Sequence, residues 1–197
     1  PHNRRSLIFL LMNNLIGIYD NVMSDEDCDS IIEYFENSDG RAPGQTSNGD
    51  DYVVNTFVKD STDLVLDFRD TKEVSLPVLK TLSKAVQCYV NTYPILNELS
   101  EWNVVYRYNV QKYVPGQAFH KPHCEHRKSS PDLLLAWMIY LNDVDDGGET
   151  RFEYQDLNLK PTKGTAVIWP AYFTHVHYGL ASKTETKYIV TGWHTYV

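Results

Sequence analysis

His123-Cys124-Glu125, His177 and Lys187 are the residues of this 197-residue chain whose types and spacing could do chemistry. Two histidines and one carboxylate are the set that holds non-haem Fe(II) on one face and leaves the opposite coordination positions open. On an extended strand alternate side chains share a side. A His-x-Glu pair therefore sends both ligands into one cavity while Cys124 points away, and a third ligand can arrive from a distant strand. Six of the seven histidines, His120, His123, His126, His175, His177 and His194, fall between positions 120 and 194. Any one of them alone would suit a surface or a satisfied core position; the constellation is what points to a metal. A helix would also align His120, His123 and His126, but Pro122 removes a donor and disfavours helix at Lys121, so the extended reading is preferred. Thr174-His175-Val176-His177 offers two histidines for the distal position, both on the same side of a strand.

These ligands need a scaffold, and the whole chain bounds what it can be. The length suits one domain, 1–197, able to bury roughly two-thirds of its unfolded surface. A hydrophobic content of 42% and an aromatic content of 13%, with fourteen tyrosines, are those of a packed globular protein. The net charge of −8 supplies no basic field for phosphate backbones, so nucleic acid is not an expected partner. Cys28, Cys88 and Cys124 form no CxxC pair, and free thiols in a reducing, cytoplasmic compartment fit them best. The apolar run Leu7–Met12 behind Arg4 and Arg5 resembles the core of a signal peptide and leaves secretion open, yet six residues are too few for a membrane span, which needs about 20.

Along the chain, Leu15–Tyr19 reads as a short strand. Ser24 with Asp27 three positions on begins a helix whose apolar face carries Cys28, Ile31, Ile32 and Phe35. Asn37 to Asp51 turns to Ser, Asp, Gly, Pro and Asn and reads as a long surface loop, a flap beside a binding site. Tyr52–Val58 is strand-like. Leu79, Leu82, Val86, Tyr89, Val90 and Tyr93 outline a second amphipathic helix ending before Pro94. From Glu101 the period becomes two, with Trp102, Val104, Tyr106, Tyr108 and Val110 on one side of a half-buried strand. Leu133–Leu141 is nearly continuously apolar, and Thr165–Trp169 and Tyr188–Trp193 read as further strands. Helices first and strands afterwards, without βαβ alternation, predict a mainly β fold with supporting helices, in which 1–100 is helical support and flap and 101–197 carries the core strands of a double-sheet barrel.

The run Tyr113-Val-Pro-Gly-Gln-Ala-Phe-His-Lys-Pro-His123-Cys-Glu125 resembles the iron-binding segment of the prolyl 4-hydroxylase branch of the 2-oxoglutarate/Fe(II) dioxygenases. Tyr140-Leu-Asn-Asp, Gly147-Gly-Glu-Thr-Arg-Phe152, Pro161-x-Lys-Gly164, and His177-x-Gly179 followed by Lys187-Tyr188 and Trp193 are similar to that family's later signatures, in order. The resemblance spans Glu101 to the C-terminus. It implies a distorted double-stranded β-helix, or jelly-roll, holding Fe(II) through His123, Glu125 and His177, with 2-oxoglutarate as co-substrate, O2 as oxidant and ascorbate as a supporting reductant. It favours His177 over His175, because the family places its basic residue nine or ten positions after the distal histidine and Lys187 is ten beyond His177. It assigns Lys187, Tyr140 and Tyr113 to the co-substrate, the first two at its far carboxylate; Thr191, on the Lys187 strand, is a further candidate there, and His120, Arg127 and Trp193 read as pocket-wall residues near the substrate. The expected reaction is hydroxylation of prolyl residues in a peptide or protein, with succinate and CO2 as co-products. One departure stands out: the family's carboxylate ligand is usually aspartate, and Glu125 is one methylene longer.

Other readings compete. The same iron chemistry could act on another peptide side chain or a small metabolite. A zinc hydrolase also uses two histidines and a glutamate, but no HExxH helix is present and Lys187 has no place in it. A non-catalytic jelly-roll module would bind its ligand without metal. The residue pattern gives neither a membrane partner nor an oligomeric state.

Overall fold

The structure, a computed structural model, describes residues 14–48 and 51–197, so Leu7–Met12 lies outside the described residues. Its elements follow in chain order. The edge strand β1 (Gly17–Tyr19) leads to α1 (Asp25–Asn37), which Ser24 opens as expected: its hydroxyl accepts from the Asp27 N–H at 3.2 Å and donates to the Asp27 carboxylate at 2.8 Å. This reciprocal cap satisfies an end donor that the helix itself cannot. Cys28, Ile31 and Phe35 face the core, with Ile32 at its margin.

The polar segment that follows is more ordered than a loop. Strand β2 (Ala42–Pro43) joins the edge of the main sheet, and β3 (Thr46–Asn48) pairs with β4 (Asp51–Val53) as a hairpin. The strand expected over Tyr52–Val58 stops at Val53. Asn55 ends it: its side chain accepts from the Phe57 N–H at 3.1 Å and its carbonyl from Val58 and Lys59 at 2.9 Å, which closes a turn. An unexpected strand, β5 (Thr62–Asp67), comes next, with Leu64 and Leu66 buried by alternation. Helix α2 (Lys72–Thr92) then covers the sheet and ends before Pro94.

The single strand expected from Glu101 is two, β6 (Trp102–Val104) and β7 (Arg107–Tyr113), because the chain breaks at Val105, whose N–H turns to the Trp193 carbonyl, and leaves Tyr106 exposed. The remaining strands are β8 (Leu133–Tyr140), β9 (Thr150–Phe152), β10 (Leu157–Leu159), β11 (Ala166–Pro170), β12 (His177–Gly179) and β13 (Lys187–Tyr196).

A large antiparallel sheet runs in the order β1-β11-β8-β13-β7-β5-β2, with β6 also on β13, and a three-stranded sheet runs β10-β9-β12. These two sheets make the expected jelly-roll. Alternation divides the large sheet cleanly. Leu135, Trp137 and Ile139 of β8 join Val110, Ile168 and Val190 in the core shared with Ile31, Phe35, Val78 and Leu82 of the helices. Ala136, Met138 and Tyr140 point the other way, with Tyr113, Val167, Trp169, Ile189 and Phe152 of the small sheet. Burial on both faces is why β8 reads as an uninterrupted apolar run. Among the described residues no helix is long and apolar enough to cross a membrane.

Candidate active site

A cavity of about 540 Å³ opens between the two sheets, and the residues singled out by spacing converge on it. His123 is not on a continuous strand. It forms an isolated bridge with His177, N–H to carbonyl in both directions at 3.0 and 2.9 Å, and the Glu125 N–H donates to Ala171 at 3.1 Å. Backbone pairing to the 171–177 segment, rather than strand pleating alone, brings the ligands together. Cys124 does not turn wholly away: it also lies on the cavity wall, although its thiol faces the His126 carbonyl at 3.6 Å.

His177 Nε2 stands 3.3 Å from Glu125 Oε1 and His123 Nε2 3.7 Å from the same atom; the ligand atoms of all three residues lie within 4.8 Å of one another. Each imidazole is oriented from behind. His123 Nδ1 faces the Lys121 carbonyl and His177 Nδ1 the His175 carbonyl, both at 2.9 Å. A carbonyl only accepts, so Nδ1 carries the hydrogen and Nε2 presents its lone pair inward. Burial, reinforced by the neighbouring His177, pushes the His123 pKa down to about 4. Burial alone would raise that of Glu125; contact with His177, the neighbouring His123 and the Trp193 indole N–H outweigh it and hold the carboxyl ionised, at about 2. Three electron-rich atoms so placed repel one another unless a cation or proton lies among them. The donor set fits a divalent non-haem iron with positions left open.

His175 is built differently. It closes a short 3-10 turn, Phe173–His175, before the strand begins, and its ring nitrogens face Thr174 Oγ1 and the Asn14 carbonyl, each at 2.9 Å. Only its carbonyl serves the triad. Trp193, expected on the substrate wall, lines the cavity but also donates its indole N–H to Glu125 Oε2 at 2.9 Å. That bond fixes the second oxygen of the longer carboxylate and leaves Oε1 to the imidazoles.

Deeper in the cavity, Lys187 begins β13 opposite Tyr113 and is 4% exposed. Its ammonium donates to the Gly148 carbonyl at 2.7 Å and lies 5.1 Å from the Tyr113 ring centroid, with no carboxylate partner among the described residues. Burial lowers its pKa to about 8, opposed in part by the charge of Glu149. A buried cation without a counter-ion is costly, and it suits a site built to receive an anion. The Gly147-Gly148 pair explains how the carbonyl arrives there. Both have positive φ, 88° and 76°, and a Cβ on Gly147 would come within 2.7 Å of the Ala181 carbonyl.

The other expected site residues divide. Tyr113 and Thr191 line the cavity, and the Tyr113 hydroxyl donates to Gln111 at 2.9 Å. Arg127 is exposed at the rim. Tyr140 is not on the wall: its hydroxyl donates to Thr150 Oγ1 at 2.8 Å and the wall there is Thr150. His120 is exposed and off the wall, its N–H donating to the Val58 carbonyl at 2.9 Å. Sequence reasoning missed Thr150, although it sits in the quoted Gly-Gly-Glu-Thr run. It also missed Phe119, whose ring stacks on His123 at 3.7 Å and 14°, and the buried ion pair Lys59–Asp63 beside it. Nothing local marks that pair, since Lys59 ends a turn. Gly40, Pro43 and Thr46 of the segment read as a flap, with Tyr52 just after it, complete the mouth.

Residues 108–195 match the sequence model of the 2OG-Fe(II) oxygenase superfamily. No curated protein matches the sequence. Among solved structures, the chain is similar to a viral collagen prolyl hydroxylase from Paramecium bursaria Chlorella virus-1 in its complex with 2OG, at 20% identity, TM-score 0.66, and coverage of 93% of this chain and 97% of that one. A Pseudomonas putida prolyl-4-hydroxylase superposes with TM-score 0.68 at 14% identity, covering 93% of both chains. A prolyl hydroxylase from Trichoplax adhaerens, in complex with a hypoxia inducible factor peptide fragment, gives TM-score 0.73 at 14% identity over 93% of this chain and 84% of that one.

Proposed function

We propose that this chain, a 2-oxoglutarate-dependent dioxygenase of the 2OG-Fe(II) oxygenase superfamily over residues 108–195, hydroxylates prolyl residues of a peptide or protein. The observation that carries the reading is the opening of two complementary sites into one cavity: the His123, Glu125, His177 donor set and the buried, anion-seeking Lys187. When bound, Fe(II) with 2-oxoglutarate and O2 supplies oxidation of a C–H bond coupled to release of succinate and CO2. The protein's share is placement.

His123, Glu125 and His177 are the residues to hold the metal, with the Lys121 and His175 carbonyls orienting the two rings and Trp193 steadying Glu125. Lys187 binds the far carboxylate of the co-substrate as a compact charge. Tyr113, Thr191 and Thr150 form the wall around it, and Tyr140 contributes from behind by holding Thr150. Arg127 and the aromatic Tyr52 and Trp193 offer a substrate a mouth that is open to solvent on one side. The similarity to prolyl hydroxylases supports a proline target; the free Cys28, Cys88 and Cys124 support a reducing compartment.

The test is incubation of the purified protein with Fe(II), 2-oxoglutarate, ascorbate and a peptide library, read by mass spectrometry. A gain of one oxygen on proline, with matching succinate, is expected. Oxygen on another residue or on a free metabolite would move the substrate class, and turnover supported by zinc without succinate would replace the reading by hydrolysis. Omitting ascorbate decides whether a reductant sustains turnover.

A further inference from the structure

Six charged side chains stand on the cavity wall: Lys59, Asp63, Lys121, Glu125, Arg127 and Lys187. Four are already spoken for. Lys59 and Asp63 neutralise each other, with Ser61 also donating to Asp63 at 2.8 Å. Glu125 belongs to the donor set, and Lys187 is buried at the deep end. Lys121 and Arg127 remain. Both are exposed, they flank the ligands at His123 and Glu125 in the chain, and neither side chain has an acidic partner among the described residues. The hairpin across the mouth brings Asp51, which is exposed but not on the wall.

Two unpaired cations at the entrance contrast with a chain whose net charge is −8. Among the other mouth residues, Tyr52, Val58 and Trp193 are aromatic or aliphatic and suit the backbone and ring of an extended, proline-bearing peptide. The unsatisfied element is charge. A peptide with acidic side chains next to the target residue supplies it, and a basic peptide meets like charge.

We propose that the entrance formed by Lys121 and Arg127 selects an acidic peptide segment, with Asp or Glu flanking the residue to be oxidised. The inference rests on the peptide-hydroxylase reading above. Exposed pairs contribute modestly, on the order of two- to fivefold each, so two give roughly four- to twenty-five-fold in affinity, and salt screens them over about 8 Å at physiological ionic strength.

Two fluorescent peptides of equal length, with proline flanked by Asp or by Lys, test this by anisotropy and by oxygen incorporation. The acidic peptide should bind more tightly, by roughly four- to twenty-five-fold at low salt, and the gap should narrow at high salt. The double variant Lys121→Glu, Arg127→Glu, checked for folding by circular dichroism, should reverse the order; the Lys121 carbonyl that orients His123 is retained in it. Equal binding of the two peptides, or a preference for the basic one, overturns the inference. Binding of the acidic peptide without oxygen incorporation leaves the charge selection standing and sinks the prolyl reading instead. Oxygenation of both peptides with equal KM does the reverse.

Discussion

The two faces of β8 are made by the same eight residues and obey opposite rules. On the helix side, Leu135, Trp137 and Ile139 fill space against α1 and α2, and the polar groups there are tied down: the Tyr108 hydroxyl is shared with Ser75 at 2.9 Å and the Tyr89 hydroxyl donates to the Leu15 carbonyl at 2.8 Å. On the cavity side, Met138 and Ala136 border a void containing a buried cation, a carboxylate and two imidazoles. The helix face is stabilised by filling; the cavity face sacrifices stability to keep polar groups unfilled and aimed.

The sharpest way to break that comparison lies at the donor set. His177→Ala should bring 2-oxoglutarate turnover to background, while His175→Ala keeps the carbonyl that orients His177 and should retain much of it; succinate release measures both. The reverse result would move the distal ligand.

Next in size is Lys187→Met. Removing the partner of the co-substrate's far carboxylate should weaken 2-oxoglutarate binding by about thirtyfold or more, from the roughly 2–5 kcal/mol typical of a truncated buried charge pair, as measured by calorimetry with a redox-inert divalent metal. The same change should leave the melting temperature equal or higher, because it relieves a buried charge. A helix-face substitution should behave oppositely: Ile139→Val should cost about 0.5–1.5 kcal/mol of unfolding free energy and leave co-substrate affinity alone. A Lys187→Met variant that simply unfolds would erase the distinction between the faces.

The pH dependence follows from Lys187. Its pKa of about 8 in the ligand-free protein means that the ammonium is in place below that value and lost above it. Binding an anion raises that pKa again, so 2-oxoglutarate affinity should be flat below about 8 and decline by up to tenfold per pH unit above it. In Lys187→Met this limb should vanish. For folding the sign is opposite to the usual lysine case: the unfolded chain binds the proton more tightly, so this residue's destabilising contribution diminishes as pH rises from about 8 toward the ordinary lysine value.

The smallest effect is expected at Trp193→Phe. Losing the indole donor to Glu125 Oε2 frees the longer carboxylate to rotate, and metal affinity should fall by about tenfold, the low end for a ligand's supporting contact, with secondary structure unchanged. Metal titration by competition with a chelating dye reads this without turnover. Pairing it with Glu125→Asp sharpens the result, since the shorter side chain draws back from the indole and Trp193→Phe should then change little.

The sequence by itself marked His123, Glu125, His177 and Lys187 as candidates and outlined both helices and the longer strands of the second half, through local signals: two-residue alternation, the Ser24 cap, an uninterrupted apolar run at β8, and motifs quoted residue by residue. It also carried the Leu64 and Leu66 alternation of β5, hidden between aspartates. Tertiary structure decided what local pattern cannot. Tyr140 and Thr150 are both buried hydroxyls near one void, and only the pairing of β9 with its neighbours sets which one reaches it. Whether His175 or His177 faces inward depended on a turn ending one residue before the strand begins. Lys59, paired with Asp63 four residues on, is brought to the cavity wall by a turn that bridges Phe119 across some sixty positions of chain. Long-range closures of this kind are set by which backbone groups meet, and no short window of sequence contains both Lys59 and Phe119.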